Sequence, residues 1–151
     1  MCLCDAGPSP HVLLVGEHDD IPYIRSVLAR LPENAYGQVY LEVDTDEHLP
    51  DVVAPERIGI RWLTRADVGD EGHLLLPKGA RLERAVRAWL SEWLCDAPDE
   101  GPIVVWVGGS DNPRLAELHL ELHARIHQHH HRQGARSATD RARPGHRPPE
   151  A

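Results

Sequence analysis

The run His11-Val-Leu-Leu-Val-Gly16 is short, almost continuously apolar and closed by glycine. Such a run is typical of a strand that is buried on both faces of a parallel sheet. Asp19 and Asp20 then offer helix N-caps, and Pro22 falls in the first helical turn, where its missing N–H costs nothing. From residue 21 to residue 31 apolar side chains recur at spacings of three and four, as on one face of a helix. The stretch therefore predicts a strand followed directly by a helix.

Three further apolar runs and two further helical patterns repeat this unit along the chain. Residues 38–43, 58–63 and 103–107 each predict a buried strand. Residues 82–94 carry the clearest helical periodicity, and a last helix is expected from Pro113 onward. Apolar strands that alternate with helices form right-handed crossovers and a parallel sheet. The sequence therefore predicts an α/β fold: a Rossmann-like parallel sheet of about four strands, in the order 3-2-1-4, with helices on both faces.

One folded domain is expected, and it spans residues 11–130. Residues 1–10 are small, polar and proline-rich, and residues 131–151 are rich in His, Arg and Pro, so we expect a disordered leader and a disordered tail. The net charge of −8 arises in the body of the protein, because six Arg lie from His123 onward against only two acids. An acidic body argues against a nucleic-acid binder.

Several classes of protein are excluded by the composition. No apolar run approaches the roughly 18–20 residues of a membrane span. The first residues have neither the basic region nor the apolar region of a secretory signal, and three cysteines do not make a disulfide framework, so we expect a cytoplasmic protein. Cys95 has no His near it in the sequence and no Gly-x-Ser-x-Gly elbow occurs, so no catalytic residue is assigned.

Two glycine-containing loops mark the candidate ligand site. In a sheet of this order, ligands bind outside the carboxyl ends of the strands, at the switch point between strands 1 and 4. The loops there are Gly16–Pro22 and Gly108–Pro113, and each leads into a helix N-terminus whose backbone N–H groups can hold phosphate oxygens. A tight strand-to-helix turn would use the same glycines without any ligand. The candidate binding residues in these loops are Gly16, Glu17, Asp20, Pro22, Gly108, Gly109 and Ser110.

A row of histidines marks the last helix. His119, His123 and His127 lie four residues apart and His130 follows, so their imidazoles share one border of the helix. Imidazole nitrogens bind divalent transition metals, but no Asp or Glu completes an obvious tetrahedral set. The alternative is a weakly basic flank that becomes charged below about pH 6.5. No metal ligand is assigned on this pattern.

The chain resembles the C-terminal domain of siderophore-interacting proteins, which are flavin-dependent ferric-siderophore reductases with a ferredoxin-reductase-like architecture. The segment from His11 to Ile24 is similar to the family's opening, written roughly as L-L-V-G-D-E-T-A-L-P-A-I. The resemblance continues through residues 39–43, 60–65 and 105–109, and it covers about residues 11 to 127. The resemblance implies a nucleotide-binding domain of the ferredoxin-reductase type.

A role in electron transfer follows from this resemblance. In the family the domain docks NADH or NADPH against the FAD of a preceding barrel domain, and the electrons then pass to the iron of a ferric siderophore. The residues before His11 leave no room for such a barrel, and no Arg-x-Tyr-Ser/Thr-type flavin motif occurs. We therefore expect NADH or NADPH as the cofactor and no FAD bound by this chain alone.

Two charged residues bear on the choice between the two nucleotides. Glu42 closes the second strand, where an acid commonly bonds a ribose hydroxyl, although it can equally be one member of a solvated acidic run. Crowded acids disfavour a 2′-phosphate, whereas Arg65, at the end of the third strand, favours one. NADH is slightly preferred, and the choice stays open.

Departures from the family pattern leave two functions open. Asp19 stands where the family has a hydroxyl residue facing the nucleotide phosphates, and Ser110 stands where it has an acid. The His/Arg-rich tail replaces the family's terminal strand, which would leave one sheet edge open. One function is a redox-linked nucleotide-binding module that needs a separate flavoprotein in siderophore iron metabolism. The other is an inactive module that acts through protein contacts, such as a homodimer across the open edge.

Overall fold

The alternation of strands and helices folds as the sequence predicts. A computed structural model describes residues 7–45, 48–67, 74–96, 101–109 and 111–141. In chain order the elements are β1 (His11–Glu17), α1 (Ile21–Leu28), β2 (Tyr36–Val43), β3 (Ile58–Thr64), β4 (Ala66–Asp67), β5 (Leu74–Leu75), α2 (Ala80–Asp96), β6 (Ile103–Val107) and α3 (Pro113–Arg141). A 3-10 turn, His18–Asp20, connects β1 to α1, and β4 pairs with β5 as a small antiparallel ribbon.

The four longer strands form one parallel sheet in the order β3-β2-β1-β6. β1 lies inside the sheet, where Val12 faces Gly37 of β2 on one side and Val104 of β6 on the other. Gly37 is required at this position, because its φ is +145° and a Cβ there would collide with the Val12 carbonyl oxygen. The predicted α/β fold and the strand order 3-2-1-4 are confirmed. Because every pairing in this sheet is parallel, the carboxyl ends of all four strands meet at one edge.

Helices cover both faces of the sheet and divide the core into two layers. Val12 and Leu14 of β1 pack in the layer that contains α1, whereas Leu13 and Val15 pack in the layer that contains α2 and α3. Successive side chains of a strand point to opposite faces, so a strand covered on both sides must be apolar throughout. This is why the segment that begins at His11 reads as one continuous apolar run.

β6 is an edge strand and is less buried than the sequence predicts. Among the described residues no further strand pairs with its outer side, and Val104 is 36% exposed. Trp106 is partly covered by Tyr23 of α1, with the two ring centroids 4.6 Å apart. An apolar run of five residues does not reveal whether the strand is central or at an edge, because that depends on strands elsewhere in the chain.

α3 is longer than the sequence predicts. It continues to Arg141, whereas residues 131–151 were expected to be disordered. No proline interrupts the chain from residue 114 to residue 141, and the single Gly134 costs only about 1 kcal/mol relative to Ala. Local helix propensity therefore accounts for the continuation of α3 beyond residue 130. Within the described ranges, none of the helices combines the length and the apolar character that crossing a membrane requires.

Candidate functional site

A polar cavity lies at the carboxyl edge of the sheet, where β1, β2 and β3 end. Its volume is about 400 Å³, within the range of roughly 300–1,000 Å³ that small-molecule sites occupy. Three of the predicted binding residues, Glu17, Glu42 and Arg65, line it together. The full lining consists of Glu17, His18, Asp19, Glu42, Val43, Asp44, Thr45, His48, Arg65 and Lys78.

The turn between β1 and α1 is held by two acidic side chains. The Glu17 N–H donates to Asp20 Oδ2 at 2.8 Å, and the Asp20 N–H donates in return to the Glu17 carboxylate. This reciprocal arrangement is a capping box, which satisfies N–H groups that a helix start leaves unpaired. Pro22 lies in the first turn of α1, away from the cavity lining. The N–H groups of Glu17 and Asp20 are therefore already bonded to carboxylates of the protein.

The Asp20 side chain fills the gap between the two predicted glycine loops. A Cβ at Gly16 would lie 2.8 Å from Asp20 Cβ and 2.9 Å from Ile24 Cδ1. A Cβ at Gly108 would collide with the Asp20 carboxylate and lie 2.7 Å from Trp106 Cη2. Both glycines thus make room for side chains of the protein itself, as in a tight strand-to-helix turn. A pyrophosphate can enter this gap only if the Asp20 side chain moves.

Gly109 shapes the turn from β6 into α3. Its φ of +65° is a conformation that other residues rarely adopt, and its carbonyl accepts the Asn112 N–H at 2.8 Å. Asn112 Oδ1 caps the first turn of α3 with a hydrogen bond of 3.1 Å. Its Nδ2 donates to Glu17 Oε1 at 3.4 Å and to the Lys78 carbonyl at 3.0 Å. One amide thus joins the end of β1, the segment before α2 and the start of α3. Ser110 lies outside the described residues.

Glu42 is a buried carboxylate rather than a member of a solvated acidic run. The residue is 3% exposed, and its Oε1 accepts the Gly79 N–H at 2.7 Å. Gly79 directly precedes α2, so the carboxylate lies at the positive end of that helix. Burial is the largest influence and raises the pKa of Glu42 above its ordinary value; the Gly79 bond and Arg65 lower it, and Glu17 raises it. The side chain also lines the cavity, where it can accept a hydrogen bond from a ligand hydroxyl.

Arg65 is held by contacts within the protein. Its Nη1 lies 2.7 Å from Asp44 Oδ1, and its Nε donates to the Leu76 carbonyl at 3.0 Å. The Arg65 backbone continues this link, since its N–H donates to the Val43 carbonyl and its carbonyl accepts the Leu76 N–H. Arg65 therefore ties the ends of β2 and β3 to the segment that follows β5, and a phosphate would have to compete with these contacts.

The described lining of the cavity is rich in acids, with four carboxylates against two cationic side chains. Asp19 is among these acids. Sequence reasoning missed Lys78, His18 and His48. Lys78 is the only lysine in a chain otherwise rich in arginine, and this rarity is the feature of the sequence that could have pointed to it. The excess of carboxylates over cationic side chains in the lining favours hydroxyl groups of a ligand and repels multiply charged phosphates.

Replacing Glu42 by Gln is expected to stabilise the protein at neutral pH, with an advantage that shrinks toward acid pH. Because the pKa of Glu42 is raised in the folded state, the folded protein binds this proton more tightly than the unfolded chain does. The stability that this group contributes is fully present below its unfolded pKa, about 4.3, and is lost as the pH rises through the folded pKa. Gln keeps an oxygen that can accept the Gly79 N–H without carrying the charge.

Urea unfolding of the Glu42→Gln variant and the unchanged protein, from pH 4 to pH 8, measures this difference in free energy. Glu56→Gln, at an exposed carboxylate, controls for the loss of one negative charge. A Glu42→Gln variant that is less stable than the unchanged protein at every pH would show that the charged carboxylate stabilises α2 more than burial penalises it.

Comparison with known proteins places the chain in a family. A family model described as "Siderophore-interacting protein" matches residues 9–133. The chain belongs to the siderophore-interacting protein family. This siderophore-interacting protein is 35% identical, over 65 residues, to the ferric vibriobactin reductase ViuB of two Vibrio cholerae O1 strains. That match covers 39% of the chain and 24% of the reductase, so the chain spans only part of the length of these relatives.

Solved structures of a siderophore-interacting protein and of a siderophore utilization protein are similar to part of this one. The siderophore-interacting protein SipS from Aeromonas hydrophila is 22% identical, with a TM-score of 0.46, and the match covers 68% of this chain and 38% of SipS. A siderophore utilization protein from T. fusca is 20% identical, with a TM-score of 0.37, and the match covers 68% of this chain and 46% of the T. fusca chain.

Proposed function

We propose that the polar cavity binds NADH and that the protein takes part in the reduction of ferric siderophores. The position of the cavity is the observation that carries this proposal. It lies at the carboxyl edge of the parallel sheet, beside the ends of β1, β2 and β3, and thus next to the switch point between β1 and β6 at which folds of the Rossmann type bind nucleotides. Family membership and the similarity to a ferric vibriobactin reductase support the reaction class. NADH, when bound, supplies the electrons as hydride.

The lining residues favour NADH over NADPH. The Glu42 carboxylate offers an acceptor for ribose hydroxyls, and the Lys78 ammonium offers a cation for a phosphate. Arg65 is bonded to Asp44 and to the Leu76 carbonyl, so a 2′-phosphate would have to displace these contacts to bind it. An additional phosphate in this acid-rich cavity would be repelled.

We further propose that a separate cytoplasmic flavoprotein supplies the flavin and that this chain alone binds no FAD. The cavity has no large apolar wall against which an isoalloxazine ring could pack: its described lining is acidic and basic except for Val43 and Thr45. The role of this chain in the pair would be to hold the nucleotide at the edge of its sheet, facing the flavin of the partner.

Titration of the protein with NADH and with NADPH, followed by tryptophan fluorescence, tests the proposal. Trp106 contacts the turn at Gly108, so a ligand that displaces Asp20 changes its surroundings. We expect saturable quenching by NADH with a Kd in the millimolar range and weaker binding of NADPH. N-acetyltryptophanamide, titrated in parallel, corrects for absorbance of the nucleotide. Quenching that stays linear to about 10 mM NADH, as for the free fluorophore, would contradict nucleotide binding.

A second function, as an inactive module that binds a partner protein, is favoured by one observation. Asp20 occupies the gap between Gly16 and Gly108, where a bound pyrophosphate would otherwise meet the helix N-termini. The outer side of β6, with Val104 exposed, then offers a strand edge for a homodimer. Light scattering during size-exclusion chromatography distinguishes the two: a stable dimer that binds no NADH supports this function, and a monomer that binds NADH supports the first.

A further inference from the structure

The histidine row on α3 contains one close pair of ring nitrogens. Nε2 of His127 and Nε2 of His131 lie 3.2 Å apart, and the two ring centroids are separated by 4.6 Å. Both side chains are exposed, one helical turn apart on the same face of α3. His131 was not part of the row singled out from the sequence, which ended at His130, although it continues the spacing of four from His127.

The separation of these nitrogens matches two ligands of one metal ion. Zn²⁺ binds imidazole nitrogen at about 2.0–2.1 Å in tetrahedral geometry, which places two ligand nitrogens about 3.3–3.4 Å apart. Histidines at positions i and i+4 of a helix are a known way of holding zinc from one face. The geometry points to a transition-metal site in which His127 and His131 bind one Zn²⁺ ion. Water occupies the remaining coordination positions of the ion.

The neighbouring pair does not offer the same geometry. The rings of His119 and His123 lie 4.5 Å apart at 48°, but no contact between their nitrogens is present in this described part of α3. Across the described ranges, no group of three or more His, Cys, Asp or Glu is arranged around one point. The site is therefore a two-ligand site, and it exchanges metal with solvent because both imidazoles are exposed.

Without metal, the same two nitrogens can share one proton in an N–H···N hydrogen bond, with one ring as donor and the other as acceptor. Zn²⁺ takes the place of this hydrogen: the donor ring carries its N–H on Nδ1 instead, so both rings stay neutral and both Nε2 atoms offer a lone pair to the metal. The site belongs to α3 and lies apart from the cavity, so its occupation is independent of NADH binding.

Isothermal titration with ZnCl₂ on the full chain, at pH 7.5, tests the site. All proteins carry Ser in place of the three cysteines, because thiolates bind Zn²⁺ by themselves. The double variant His127→Ala/His131→Ala is expected to weaken Zn²⁺ binding at least tenfold. The matched control His119→Ala/His123→Ala removes the same number of imidazoles from the same helix and is expected to stay within threefold of the parent.

Two further measurements make the result specific. His129→Ala, two positions from each member of the pair, is expected to bind Zn²⁺ as the parent does. In the parent, NMR of the imidazole rings is expected to show the signals of His127 and His131 shifting first as Zn²⁺ is added. The inference is overturned if the two double variants lose affinity equally, or if the ring signals of all histidines shift together, because either result means adventitious binding by separate imidazoles.

Discussion

Replacing Leu90 by Ala is expected to lower the free energy of unfolding by about 2–5 kcal/mol. Leu90 lies on α2 and is 1% exposed, in the layer that joins α2 and α3 to the sheet. Its truncation removes apolar contacts and leaves a cavity that close-packed neighbours such as Trp89 and Leu118 cannot fill. Domains of this size are stable by roughly 5–15 kcal/mol, so the loss is a large share of the total. Urea unfolding measures it.

Leu120→Ala is the matched control for this substitution. Leu120 is also on a helix but is 71% exposed, so the same chemical change leaves no cavity. We expect a change within about 0.5 kcal/mol for this variant, since exposed positions away from special contacts rarely exceed that. A loss below about 0.5 kcal/mol at Leu90 as well would mean that α2 does not pack on the sheet as described.

Replacing Asp19 by Thr is expected to tighten NADH binding at least tenfold, which is about 1.4 kcal/mol. Asp19 is exposed and lines the cavity, where its carboxylate faces any phosphate that enters. At an effective dielectric constant near 20, two like charges 5 Å apart repel by roughly 3 kcal/mol before salt screening. The helix dipole offsets part of this repulsion. The predicted gain is therefore smaller than the full Coulomb energy, and it shrinks as salt is added.

Two controls separate charge from the other effects of this substitution. Asp19→Asn removes the charge at nearly constant shape and is expected to give most of the gain, whereas Glu33→Gln removes an exposed charge that does not line the cavity and is expected to change little. Fluorescence titrations at 50 mM and 500 mM NaCl measure all variants. If NADH binding stays undetectable in Asp19→Thr, the cavity is not a nucleotide site and the partner-binding function is the better proposal.

The sequence predicted the parts of this protein that depend on local pattern. The strand from His11, the helix from Ile21 and the glycine turns follow from side-chain periodicity and backbone preference, which act over a few residues. The order of the sheet followed as well, because right-handed crossovers leave few arrangements for alternating strands and helices. α3 continues to Arg141, beyond the predicted end of the domain at residue 130, because helix propensity without an interrupting proline is enough to extend a helix that has already begun.

Local sequence pattern accounts for which strands and helices form and for the edge of the sheet at which the candidate site lies, whereas the contacts of the candidate residues depend on how these elements pack. Glu42 and Gly79 are far apart in the chain, and their hydrogen bond exists because α2 begins beside the end of β2. Asp20 meets Gly108 because β1 and β6 are neighbours in the sheet. Residues that are distant in the chain bury one another, place like charges together and fill one another's space. These effects depend on how the elements pack and not on the pattern of any one segment.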